Sequence, residues 1–97
     1  MIISSKKGFV EKGTIKTIVT GKGFILGLIM SHEHMRTREV NIYDNYVTGI
    51  NLLMKIKVST GCSPVKLSFT GNEKVYFGIG LTVDAGDCDV FVIAETI

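Results

Sequence analysis

Ninety-seven residues set the scale of a single small domain, residues 1–97, with one modest core and no room for a second. A formal charge of +2, from 11 basic and 9 acidic residues scattered along the chain, supplies no basic run for nucleic acid, and no stretch reaches the roughly eighteen apolar residues that a bilayer crossing needs. The composition is 45% hydrophobic with 11 Gly, one Pro and no Trp; its apolar residues run to Val and Ile, which favours strands over helix.

Met1-Ile2-Ile3-Ser4-Ser5 predicts a short edge strand ended by Lys6-Lys7-Gly8, with Phe9-Val10 as an apolar anchor. Its apolar residues precede the lysines and are too few for a secretion signal. Thr14 to Thr20 reads as a half-buried strand in which Ile15 and Ile18 are out of phase, so a bulge near Thr17 is expected. Gly21-Lys22-Gly23 is a turn. Phe24 to Ser31, its first seven residues apolar apart from Gly27, reads as a central strand. His32 to Arg38 is a polar connection, and Glu39 to Asn45 alternates cleanly, with Val40 and Ile42 on one face. In Ile50 to Ser59, Leu52, Met54, Ile56 and Val58 share the core phase and Lys55 and Lys57 the wet one. Pro64 cannot donate to a ladder, so the next strand starts at Val65.

Val75 to Val83, the turn Asp84-Ala85-Gly86-Asp87, and Cys88 to Ala94 read as a closing β-hairpin. From Val90 to Ala94 every residue is apolar, which places that strand inside a sandwich or under a partner. About seven or eight strands at intervals of roughly 8 to 12 residues predict an all-β antiparallel sandwich, jelly-roll or immunoglobulin-like.

The residues offer little chemistry. His32 and His34, two apart on a strand, would share a face and could hold a metal, and with Gly27 and Glu39 they resemble the first metal motif of the cupins. The glycine spacing is one short, no third histidine exists, and the second cupin motif is missing. Asp84, Asp87 and Asp89 are the residues a tight turn prefers, without the ordered twelve-residue pattern of a calcium loop. Gly78 and Gly80 lie in a strand, where they mark a bulge or a close approach, not a phosphate loop. Cys62 and Cys88 read as ordinary thiols. With only Tyr43, Tyr46 and Tyr76, a carbohydrate-stacking platform is thin. No catalytic residue, metal ligand or cofactor is expected.

Gly13-Thr14-Ile15-Lys16-Thr17-Ile18, then Val40-Asn41-Ile42-Tyr43-Asp44-Asn45, Gly49, Phe69, Gly80-Leu81-Thr82-Val83, and Asp89-Val90 with a last apolar strand together resemble small virion proteins of tailed bacteriophages. The resemblance covers about residues 13 to 95. Two departures are the lysines of the Ile50 to Val58 strand, where those proteins carry Thr and Ser, and the apolar ending Phe91-Val92-Ile93-Ala94. The resemblance implies a non-enzymatic, multicopy structural component of the particle, assembled in the host cytoplasm: a capsid decoration protein, a head-fibre base, or a neck or tail piece. The rival reading is a cupin-like metal enzyme on His32 and His34.

Apolar residues on both faces of two strands exceed what one small core takes up, which predicts an oligomer, a trimer being suited to a threefold capsid site, and contacts with other virion proteins such as the major capsid protein. Ile2, Ile3, Phe91 and Ile93 are the expected contact residues. Neither nucleic acid nor membrane is an expected partner.

Overall fold

Alternation of apolar and polar residues sets each strand, while glycine, proline and aspartate set the breaks. The computed structural model describes residues 4–32, 37–47, 50–59, 64–69 and 73–97. Among them run nine strands: β1 (Ser4–Val10), β2 (Ile15–Thr20), β3 (Gly23–Ser31), β4 (Arg38–Tyr43), β5 (Leu52–Val58), β6 (Val65–Ser68), β7 (Val75–Phe77), β8 (Gly80–Asp84) and β9 (Asp89–Thr96). One sheet has the order β1-β9-β3-β6 with β7 also on β3, and the other the order β2-β8-β4-β5. All pairings are antiparallel.

Leaving out the three-residue β7, the chain pairs from its ends inward: β1 with β9, β2 with β8, β3 with β6, β4 with β5. That nested order is a long hairpin rolled into two sheets, the jelly roll. An immunoglobulin-like sandwich would pair its first two strands within one sheet, whereas β1 and β2 lie in different sheets.

Between the sheets lies one cluster that includes Phe77, Ile25, Leu28, Met30, Ile42 and Leu81, each fully buried. Burial of a side chain of this size contributes about 1.5–3 kcal/mol. In β9, Val90, Val92 and Ala94 point into the core while Phe91 and Ile93 point away and are half-buried. β3 keeps both Ile25 and Leu28 inward because its register against β9 shifts between Ile25 and Gly27.

Several expectations from the sequence are corrected. Lys6-Lys7-Gly8 do not end β1, which holds a continuous ladder with β9 through to Val10. Gly8 is what lets it pass: a Cβ there would lie 2.7 Å from Ile18 Cδ1 on β2. The expected bulge in β2 is present, between Thr17 and Val19, but it turns Val19 into the core and leaves Ile15 59% exposed. In β5 a register shift opposite Ile42 and Tyr43 makes Leu53 the extra residue, so Leu52 is 51% exposed and Leu53 packs against the core.

The closing hairpin does not form. Val75 to Val83 is broken at Gly78 and Ile79, with β7 in one sheet and β8 in the other. β8 pairs with β2 and β4, and β9 with β1 and β3, so Ala85 to Cys88 arches from sheet to sheet instead of joining neighbours.

Candidate functional site

His32 follows β3 and is 7% exposed. Its Nε2 lies 3.0 Å from the carbonyl oxygen of Val58 and 2.9 Å from that of Ser59. Both are acceptors, so Nε2 carries the proton and donates. In that tautomer this nitrogen has no lone pair for a metal, and the ring instead ties the end of β3 to the end of β5 in the opposite sheet. Glu39, the acid of the cupin-like spacing, is engaged elsewhere, 3.3 Å from Lys55 Nζ. His34 lies outside the described residues.

The three aspartates of the β8–β9 arch are each used in holding the chain. Asp84 Oδ1 accepts from Gly86 N at 3.2 Å, Asp89 Oδ1 from Lys12 N at 3.0 Å, and Asp87 pairs with Arg38 at 3.3 Å. Gly86, at φ 57, gives the arch its left-handed residue. Cys88 is fully buried beside it, and burial, with Asp87 and Asp89 close by, pushes its thiol upward; a neutral buried thiol is a poor nucleophile. Cys62 lies outside the described residues.

Tyr43-Asp44-Asn45, a core of the sequence resemblance, is a latch. Where the chain crosses from β7 to β8, the N–H groups of Gly78, Ile79 and Gly80 leave the ladder and donate to the Asp44 carboxylate at 2.9, 2.8 and 3.3 Å. Burial opposes the charge and these three donors favour it, with the net result that the carboxyl is held below the ordinary aspartate value. Thr82 Oγ1 donates to the Asn45 carbonyl at 2.7 Å, so in its 2.9 Å contact with Thr17 Oγ1 the donor is Thr17. The glycine at 80 admits the Tyr46 ring, whose carbons lie 3.1 Å from where a Cβ would stand.

The remaining feature is apolar. Directly paired residues of antiparallel strands share a face, and the ladders align Phe9, Phe91, Ile29 and Lys66 in one row across the outer face of the β1-β9-β3-β6 sheet. Lys7, Ile93, Gly27 and Ser68 make the next row. Phe9 is 52% exposed; Phe91, Ile29 and Ile93 are half-buried against one another's strands. Further along, Phe24 tilts against Tyr76 at 5.6 Å between ring centres, and Lys74 sits 5.8 Å over Phe24 while paired to Glu95 at 2.8 Å.

Of the contact residues expected from sequence, Phe91 and Ile93 lie side by side on this face, while Ile2 and Ile3 are outside the described residues. Phe9 and Ile29 share the face and are not among the residues expected from sequence. The alternation Lys7-out, Gly8-in, Phe9-out, Val10-in would have shown Phe9, had Lys6 to Gly8 been read as strand. No protein-family model matches the chain, and no curated protein matches it.

Proposed function

We propose that this chain is a non-enzymatic structural component of a tailed-bacteriophage virion, a capsid decoration or head-fibre base protein with a neck or tail piece as the other position, working through protein-protein contacts with its own copies and with the major capsid protein. The resemblance of its motifs brings in the virion. The observation that carries the contact role is the apolar row Phe9, Phe91 and Ile29 on the outside of a finished sheet, since a lone soluble domain gains nothing by exposing it. The jelly roll serves shell proteins, lectins and cupins alike, so the fold by itself does not choose. The cupin reading is less favoured, because Nε2 of His32, in donating to two carbonyls, is not offered to a metal.

Mass spectrometry of purified particles tests the reading: the chain is expected as a stoichiometric component. Its absence from particles, or a transition metal retained at one equivalent in the purified protein and lost in the His32→Ala/His34→Ala variant, would overturn it.

A further inference from the structure

Resting on the reading that the chain works through protein contacts, we propose that the outer face of the β1-β9-β3-β6 sheet is an isologous self-contact, two copies packing face to face about a twofold axis that runs along the strands between β9 and β3. Rotation about such an axis exchanges the two edges of the sheet and leaves height along the strands unchanged. Each cross-strand row is therefore laid on its own reverse.

The row Phe9, Phe91, Ile29, Lys66 then sets Phe9 of one copy over Lys66 of the other, and Phe91 over Ile29. The row Lys7, Ile93, Gly27, Ser68 sets Ile93 over Gly27 and Lys7 over Ser68. Every pair is complementary. An ammonium over an aromatic ring is a favourable cation–π contact, and a phenyl ring meets a branched aliphatic chain. Gly27, buried with the same copy's Ile93 Cδ1 3.9 Å from where its Cβ would stand, leaves no side chain to oppose the other copy's Ile93, so the two isoleucines meet over a flush apolar strip. No lysine faces a lysine. The two acids that flank these rows on β9 are both engaged, Glu95 by Lys74 at 2.8 Å and Asp89 by the Lys12 N–H at 3.0 Å. A threefold ring requires two different patches meeting head to tail, whereas this face matches itself.

Size sets the strength. Four strands about 4.8 Å apart and about seven residues long at about 3.3 Å give roughly 440 Å² of flat face per copy before side-chain relief, below the roughly 800 Å² per partner of a standard interface. The contact is accordingly weak in solution, on the order of micromolar or weaker, and gains from the many simultaneous contacts of an assembled particle.

Sedimentation velocity of the purified chain over about 5 to 500 µM, spanning that range, is expected to show a monomer-dimer equilibrium. Phe9→Lys sets lysine against lysine and should move the midpoint about tenfold or more toward higher concentration, with the thermal melt unchanged; Phe9→Lys/Lys66→Glu should restore it. Should Phe9→Lys fail to fold, a Phe9→Cys/Lys66→Cys variant in a Cys62→Ser background reads the same contact as a disulfide between copies. A chain that stays monomeric, forms a trimer, or forms a dimer indifferent to Phe9→Lys and giving no cross-link overturns the proposal. None of these readouts involves particles, so a monomeric virion component would overturn the twofold alone, and a dimer absent from particles would overturn the virion role alone.

Discussion

Asp44 is a single side chain standing in for three strand partners, and its removal should be felt out of proportion to its exposure. Asp44→Asn replaces a charged acceptor by a neutral amide whose single oxygen can keep the Ile79 and Gly80 N–H groups only by turning its NH2 toward the Gly78 N–H; the expected cost is about 1–2 kcal/mol, or a melting temperature lower by roughly 5–15 °C at pH 7. Because the folded carboxyl is held below its unfolded value of about 3.9, its stabilisation is complete above that pH and is lost as pH falls through the lower folded value. Thermal melts of the two proteins should converge in acid; a gap that widens on acidification contradicts the latch. His32→Gln keeps an N–H donor for Val58 and Ser59 and should cost less than His32→Ala, for which about 1–2 kcal/mol is expected in urea unfolding. Two glycines of β3 make a sharper contrast. A Cβ at Gly23 would lie 2.2 Å from the Glu95 carbonyl oxygen and 2.9 Å from the Phe77 ring, while at Gly27 the nearest atom is the Leu67 oxygen at 3.3 Å. Gly23→Ala must push β9 away and should lose about 3 kcal/mol or more. Gly27→Ala should keep most of its stability, and equal urea midpoints for the two would show that the close approach of β3 to β9 is wrong.

At the scale of elements, bulges decide which side chains count. Strict alternation puts Leu52 in the core, but the extra residue in β5 gives that place to Leu53. Leu53→Ala should therefore cost about 1–3 kcal/mol and Leu52→Ala no more than about 0.5 kcal/mol, as read by denaturant midpoint; the reverse order would restore the alternating register. β3, β4 and the core phase of β9 were legible in the sequence because their signal is local: neighbouring residues state which face is dry. The partner of β8 was not legible. Asp84 to Asp87 suits a hairpin turn and an arch equally well, and the choice lies with β2 and β4, which claim both sides of β8. His32 misled for the same reason, since its two acceptors sit 26 and 27 residues away. The apolar row was half-legible: Phe91 and Ile93 stood out within one run, but Phe9 and Ile29 join them only through ladders that no local pattern announces.

For the whole molecule, nested pairing means that most of the ladder joins distant parts of the chain, Ser4 to Thr96 at the extreme. Non-local topologies of this kind fold slowly, in milliseconds to seconds, and stopped-flow refolding should fall in that range; a microsecond phase carrying the full amplitude would contradict the pairing order. Synthesis imposes a longer delay. Among the described residues β1 has no ladder partner except β9, so a strand made first must wait for the strand made last, roughly 4 to 20 s at about 5–20 residues per second. A nascent chain stalled before Asp89 should accordingly remain protease-sensitive, and its waiting first strand carries Lys6 and Lys7 within its span, charges of the kind that keep an unpaired strand from joining its neighbours on crowded ribosomes.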